Sequence, residues 1–134
     1  ISPDFETGPA APAAARNVLA VGACGPSAGE VDKGLVPAVF SNAAPALVAP
    51  GVGIVSAGLG GGLRSLNGSS MATAHVAGVA ALWAETMRAA GERVTTQALA
   101  TRVMLTATQS RPSKGRNVLD CGQGLVQAPT ARLN

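Results

Sequence analysis

The segment from Ser70 to Ala90 constrains the fold more than any other part of this 134-residue chain. Read as a helix, it is apolar on almost every side as far as Trp83, and charged side chains begin only at Glu85. A helix that is apolar all round needs other elements to cover most of its surface. We therefore expect it to enter a core at its N-terminal end and to leave that core near Gly91, a candidate C-cap.

Four short apolar runs precede this helix and are typical of strands that are buried on both faces of a parallel sheet. A second helix is expected to start at Thr95 or Thr96 and to bury Leu99, Val103 and Met104. Residues 1–16, rich in Pro and Ala, predict a linker or loop, and residues 111–115 predict a turn. The four predicted strands are Val18–Ala23, Val36–Phe40, Leu47–Ala49 and Ile54–Ala57.

Two serines stand where the long helix begins, in the segment Gly68-Ser69-Ser70. Backbone N–H groups at a helix N-terminus lack intrahelical partners, and the helix dipole is positive there. An oxyanion that forms on a carbonyl group attacked by Ser70 would be stabilised at this place, which is the largest single term in acyl transfer. The alternative for a Gly-Ser-Ser segment is that Ser69 or Ser70 only caps the helix.

The segment from Gly68 to Gly78, GSSMATAHVAG, resembles the nucleophile motif of the subtilisin-like serine proteases, the subtilases. The family pattern is Gly-Thr-Ser-Met-Ala-x-Pro-His-Val-Ala-Gly, so Ser69 replaces a Thr and Ala74 replaces a Pro. Neither change removes a catalytic group, because Ser69 keeps a hydroxyl and Ala is a good helix former. Other segments resemble the family in the same order, among them NVLAVGA at 17–23, VFSN at 39–42, LVAPG at 47–51 and GQGLVQA at 122–128.

The resemblance implies both a fold and a site. The fold would be α/β, the C-terminal part of a subtilisin-like fold, with a mostly parallel sheet and a buried helix that bears the nucleophile. Ser70 would attack the peptide bond and form an acyl-enzyme. Asn67 and Ser69 would bind substrate beside it, with Asn67 towards the leaving group.

The partners that Ser70 needs are not recognisable in this chain. A subtilase uses a His as base and an Asp that orients the His, and the motifs for both, and for the Asn of the oxyanion hole, precede the segment seen here. His75 is the one histidine, and on the same helix it points roughly 140° away from Ser70. We expect a structural role for it, buried or half-buried near the helix. Asp4 and Asp32 lie in no matching motif.

Two hypotheses about function follow. In the first, residues 17–134 are the C-terminal half of a subtilase peptidase domain, a serine endopeptidase whose Asp, His and oxyanion Asn come from upstream sequence or a separate chain. The 134-residue chain alone would then be inactive. In the second, it is a non-catalytic subtilase-like module for structure or interaction. Retention of Ser70 favours the first, since a pure scaffold has no need for it.

Composition argues against several other classes. Charged residues make up 13% of the chain, about half the average for soluble domains, as expected if another segment covers much of the surface. The net charge of +3 comes with no Lys/Arg cluster and few aromatic residues, so no nucleic-acid partner is expected. No uninterrupted apolar run is long enough to span a membrane. The expected partners are a protein or peptide substrate and the upstream half of the protease domain.

No cofactor and no metal-binding residue are expected. The glycine run at 58–62 lacks the spacing of a phosphate-binding loop, because Leu63 stands where a third Gly is needed. The resemblance makes structural calcium conceivable, but residues 25–33 offer no ligand pattern that can be assigned.

Cys24 and Cys121 are not spaced for a zinc site. Cys24 ends a predicted core strand and Cys121 opens the last family-like segment, so the two either form a disulfide or are two unrelated buried thiols. Most bacterial subtilases are secreted, so the resemblance implies a secreted protein, in which a disulfide can form.

Overall fold

A computed structural model describes residues 8–26, 34–108 and 120–130. Within these ranges, five strands are followed by two helices. Residues 8–16 contain neither strand nor helix. The turn predicted at 111–115 lies outside the described residues. In chain order the elements are β1 (Val21–Pro26), β2 (Leu35–Pro37), β3 (Leu47–Pro50), β4 (Ile54–Ala57), β5 (Leu63–Leu66), α1 (Ser69–Ala89) and α2 (Thr96–Leu105).

The central sheet has three strands in the order β2-β1-β3. Strand β3 runs parallel to β1, with Val21 opposite Leu47, whereas β2 runs antiparallel to β1, with Cys24 opposite Pro37. A parallel bridge to Leu125 brings the C-terminal segment beside β3. In the described part of the chain the sheet is therefore mixed, and the expectation of a mostly parallel sheet is not met.

A second, two-stranded sheet is the antiparallel hairpin of β4 and β5, in which Ile54 faces Leu66 and Ala57 faces Leu63. The sequence did not predict β5. The connection between the two strands is only the glycine run 58–62, which is too short for a parallel crossover. Gly60, Gly61 and Gly62 have φ of 81°, 100° and 74°, values that glycine adopts without a steric penalty. The glycines therefore allow the tight turn that connects β4 and β5.

The core lies between the central sheet and the two helices. Helix α1 packs against β1, β3 and α2. The predicted interior face of α2 is found, with Val103 buried and Leu99 and Met104 packed against the core. Its first turn is capped by Thr95, whose side chain accepts a hydrogen bond from the N–H of Ala98 at 3.1 Å. The buried residues of the main cluster are Ala23, Ala38, Leu47, Ala49, Ala72, Val76, Val103 and Val126.

Trp83 joins the C-terminal segment to both helices. Its indole N–H donates a hydrogen bond of 2.8 Å to the carbonyl of Gln127. The guanidinium of Arg102, on α2, lies 5.5 Å from the centre of the indole ring and forms a 2.7 Å ion pair with Glu92. An aromatic ring attracts a cation placed over its face, so these contacts hold α2 against the exposed end of α1.

Helix α1 is covered on one face only. Its buried residues are Ala72, Val76, Ala84 and Met87. The expectation of a buried helix is met on one side only, because within the described residues the central sheet and α2 cover a single face of α1. Its C-terminus ends as predicted at Gly91, whose φ of 74° allows the Glu92 N–H to reach the carbonyl of Met87 at 2.9 Å. The apolar residues left exposed are Ala74, Ala77, Gly78, Ala81 and Leu82.

Both cysteines are buried. Burial raises the pKa of the Cys24 thiol from its ordinary value of 9.0 to about 11, and the Cys121 thiol contributes to the rise. Because Cys121 acts electrostatically on Cys24, the two buried cysteines are not unrelated, and the disulfide between them stays a prediction. A buried thiol of high pKa is a poor nucleophile near neutral pH.

Gly122→Ala is expected to destabilise the chain far more than Gly91→Ala. Both glycines have positive φ, 55° and 74°. A Cβ at Gly122 would collide with the carbonyl oxygens of Pro45 and Ala46, whereas a Cβ at Gly91 would meet nothing within 4 Å. We expect about 1 kcal/mol from the backbone strain at Gly91 and about 3 kcal/mol or more at Gly122, measured by urea unfolding. Equal losses in the two variants would contradict the close contact.

The free energy of unfolding is expected to fall between pH 9 and pH 11 because of Cys24. Below pH 9 both states keep the thiol proton. Between pH 9 and the folded-state pKa of about 11, the unfolded chain releases the proton while the folded chain retains it, which costs roughly 1.4 kcal/mol per pH unit. Unfolding curves across this range measure the effect. Cys24→Ala, although less stable at every pH, should show a shallower decline, and an identical slope would refute the assignment.

Candidate active site

Helix α1 begins immediately after Gly68, which occupies the N-cap position without a side-chain cap. Ser69 and Ser70 are therefore the first two helical residues, and neither of them caps the helix. The Gly68 carbonyl accepts a hydrogen bond from the N–H of Met71 at 3.2 Å. The N–H groups of Ser69 and Ser70 lie in the first turn, where a helix has no carbonyl to offer them.

Ser70 and Ser69 are both exposed. The Ser69 carbonyl accepts a hydrogen bond of 2.9 Å from the hydroxyl of Thr73, one turn further along. The hydroxyl of Ser70 makes no hydrogen bond to any residue in the part of the chain that the structure describes. The site thus presents an accessible hydroxyl beside backbone donors at the positive end of a helix. That arrangement can stabilise an oxyanion, but a serine without a base is a weak nucleophile.

The two residues before the serines are attached to the turn formed by residues 51–53, between β3 and β4. The N–H of Gly68 donates to the carbonyl of Gly51 at 2.8 Å. The side-chain oxygen of Asn67, Oδ1, accepts a hydrogen bond of 2.6 Å from the N–H of Gly53. The Gly51 N–H in turn donates to the carbonyl of Cys24 at 2.8 Å. A continuous set of hydrogen bonds therefore connects strand β1 to the start of α1.

Gly51 is the residue that makes this close approach possible. A Cβ at Gly51 would lie 2.8 Å from the carbonyl oxygen of Gly68 and 2.6 Å from the Cβ of Ala23. Both distances are shorter than real Cβ contacts, so a side chain here would separate the turn from β1 or from the start of α1. A Cβ at Gly68 would lie 3.3 Å from Sδ of Met71, so the Met71 side chain folds back over Gly68.

His75 is exposed, so the expectation that it is buried or half-buried is wrong for this chain. It lies on the part of α1 that no described element covers. Its ring does bond to the helix, since Nδ1 lies 2.9 Å from the carbonyl oxygen of Met71. A carbonyl only accepts, so Nδ1 carries the proton. With Nδ1 held along its own helix, His75 is not oriented as a base for Ser70.

Other candidate groups are either distant or not described. Asp4, Asp32, Lys33 and Lys114 lie outside the described residues, as does most of the 25–33 segment. Among the residues that are described, no group of three or more His, Cys, Asp or Glu side chains is placed to hold a metal ion. In the same ranges, no helix has the length and apolar character needed to cross a membrane.

The structure thus brings Ser70, Ser69 and Asn67 to one place, at and just before the start of α1. The sequence did not indicate that Asn67 bonds to Gly53, because the two residues are 14 positions apart and belong to different predicted elements. The segment LVAPG at 47–51, which resembles the family, includes Gly51, but the resemblance assigned no role to that residue. Two glycines in Gly51-Val52-Gly53 are the one sequence signal of a tight turn at this position.

Comparisons with known proteins agree with one another. A family model described as "Subtilase family" matches residues 6–125. Alkaline elastase YaB of Bacillus sp. (strain YaB) is 49% identical over 73 residues, which cover 53% of this chain and 18% of that protein. The solved structure of the prenylagaramide maturation protease PagA has 31% identity and a TM-score of 0.71, over 87% of this chain and 42% of that one. The PatG macrocyclase domain has 29% identity and a TM-score of 0.71, over 87% of this chain and 36% of that one. The chain therefore spans less than half the length of each of these relatives.

Proposed function

Because the chain belongs to the subtilase family, we propose that it is the nucleophile-bearing C-terminal half of a subtilisin-type serine endopeptidase domain. The observation that carries the proposal is the position of Ser70. It is exposed, it is the second residue of α1, and it occupies the nucleophile position of the family motif. A serine that only stabilised the helix would serve better at the N-cap, where Gly68 stands instead.

In the proposed reaction, Oγ of Ser70 attacks the carbonyl carbon of the scissile peptide bond. The backbone N–H of Ser70, in the first turn of α1, donates to the oxyanion that forms. The base takes the proton of the Ser70 hydroxyl and donates it to the leaving amine, which departs to give an acyl-enzyme. The base then takes a proton from water, which hydrolyses the acyl-enzyme, and returns the proton to Oγ of Ser70. Ser69 and Asn67 flank the cleft and bind the substrate chain. The base, the Asp that orients it and the oxyanion Asn come from upstream sequence or from a partner chain.

The upstream half of the domain is the proposed occupant of the uncovered face of α1, formed by Ala74, Ala77, Gly78, Ala81 and Leu82. Two observations support this choice. The solved relatives are more than twice as long as the segment matched here, so more than half of each relative lies outside that segment and is available to cover this face. Four of these five exposed residues are Ala or Gly and all five are uncharged, so another element can approach the helix backbone closely and bury the Leu82 side chain.

Further aspects follow from the family rather than from the geometry. We propose a protein or peptide substrate, secretion from the cell, and no cofactor beyond a structural calcium ion for which this chain offers no assignable ligand. Subtilase-like neighbours include both a maturation protease and a macrocyclase domain. Product analysis by mass spectrometry should therefore look for cyclised as well as hydrolysed peptide.

Ser70→Ala is expected to abolish labelling of the full-length protein by a fluorophosphonate, because Ser70 is the activated nucleophile. Ser69→Ala is the matched control: it removes the adjacent, equally exposed hydroxyl and should leave labelling measurable. In-gel fluorescence after equal reaction times gives the readout. Labelling that survives Ser70→Ala, or disappears only in Ser69→Ala, would remove Ser70 from its proposed role.

The 134-residue chain alone is expected to show no peptidase activity. It offers Ser70 and one half of an oxyanion hole but no base, and serine is a weak nucleophile without one. Mixing it with a separately produced upstream half should restore turnover of a fluorogenic peptide, and Leu82→Lys should weaken that recovery by placing a charge on the uncovered face. Turnover by the chain alone that is lost on Ser70→Ala would show that the base lies within it.

A further inference from the structure

We propose that Asn67 is a positioning residue for Ser70, acting through the hydrogen bond that its side-chain oxygen accepts from Gly53. The inference rests on the proposed function of Ser70 as the nucleophile, and it assigns Asn67 a task that the substrate-binding role does not include. The task is to fix the direction in which the chain enters α1. Ser70 then has one orientation relative to the sheet.

The contact is short and uses the acceptor atom of the amide. The N–H of Gly53 lies 2.6 Å from Oδ1 of Asn67, which leaves the NH2 group of the amide for substrate. Gly53 has a φ of 66°, a left-handed conformation that favours glycine. The backbone of the turn therefore directs the N–H of Gly53 towards Asn67, the residue before Gly68.

A second bond makes the attachment rigid. Gly68 donates its N–H to the carbonyl of Gly51 at 2.8 Å, so two successive residues, 67 and 68, are bonded to two residues of one turn. One hydrogen bond leaves the chain free to pivot, whereas two bonds at different points do not. Ser69 and Ser70, the two residues that follow Gly68, are both helical, so little freedom remains between this attachment and the nucleophile.

The bond contributes to positioning rather than to global stability. Asn67 is exposed and its hydrogen bond with Gly53 lies at the surface, where water replaces a lost partner at little cost. A nucleophile that is displaced by as little as about 1 Å loses on the order of 100-fold in rate. Loss of the bond should therefore lower the rate of the chemical step while the fold stays intact.

The test uses the full-length protease with Asn67→Ala, which removes the acceptor, and Asn67→Asp, which keeps an oxygen in the same place but removes the NH2 donor. Salt of about 0.3 M screens the charge that Asp adds. We expect Asn67→Ala to lower both kcat and the fluorophosphonate labelling rate about 10-fold. Both variants lose the NH2 group that is proposed to bind substrate, so any rise in KM should be about equal in the two. Asn67→Asp should restore both rates to within about 3-fold of the parent. The thermal midpoints of all three proteins should agree within about 2 °C.

Two results would overturn the proposal. An Asn67→Asp protein whose kcat and labelling rate fall as far as those of Asn67→Ala would show that the oxygen is dispensable for positioning Ser70. An Asn67→Ala protein with unchanged kcat and an unchanged rate of labelling at Ser70 would show that the bond has no catalytic consequence.

Amide hydrogen exchange at Gly53 tests the contact independently of activity. We expect protection in the parent and in Asn67→Asp, and loss of protection in Asn67→Ala. A parent that fails to label at Ser70 would refute the proposed function, whereas an unprotected Gly53 amide in the parent would refute the Asn67 contact itself.

Discussion

The geometry of the site depends on one close approach of backbone to backbone, at Gly51. Its N–H is bonded to the carbonyl of Cys24 on the central strand, and its carbonyl accepts the N–H of Gly68 at the start of α1, both at 2.8 Å. A single residue thus transmits the position of the sheet to the helix that carries Ser70. The approach requires that residue 51 has no side chain, because a Cβ would collide with both neighbours.

The second constraint is the incomplete cover of α1. A helix with small apolar residues on several sides is stable in water only where a neighbouring element excludes the water. Here the central sheet and α2 cover Ala72, Val76, Ala84 and Met87, and the side that bears Ala74, Gly78 and Leu82 is exposed. The charged fraction of only 13% has the same cause under the proposed function, since surface that another segment covers does not need charge for solubility.

Local signals in the sequence were sufficient for most elements and for the nucleophile position. Continuous apolar runs located β3 and β4 and, with shifted bounds, β1 and β2; the burial expected for Ile54–Ala57 is wrong, since most of β4 is exposed. Thr95 located the start of α2, and Gly91 directly follows the C-cap of α1. Strand direction was not predictable in the same way, because a buried apolar run has the same sequence pattern in parallel and antiparallel pairs. Only the short connection 58–62 requires that β4 and β5 are antiparallel.

The exposure of His75 was missed because apolar neighbours in sequence do not reveal which face of the helix is covered. The bond between Asn67 and Gly53 was missed because it joins distant residues through a side chain with several possible partners.

Under the proposed function the chemistry divides between two kinds of group, which is why this chain alone is expected to be inactive although it carries Ser70. The oxyanion donor is backbone, so it exists wherever α1 begins at Gly68, and the residue 51–53 turn fixes that beginning from within this chain. In the proposal the base is a side chain on another segment, so its distance from Ser70 would depend on how that segment packs on the uncovered face of α1. The first contribution is therefore set by folding of this chain, and the second by association. A change at Asn67 is expected to alter the orientation of the nucleophile, and its effect should not depend on the concentration of the upstream half. A change at Leu82 is expected to weaken association with the upstream half, which carries the base, so its effect should diminish as the concentration of that half rises.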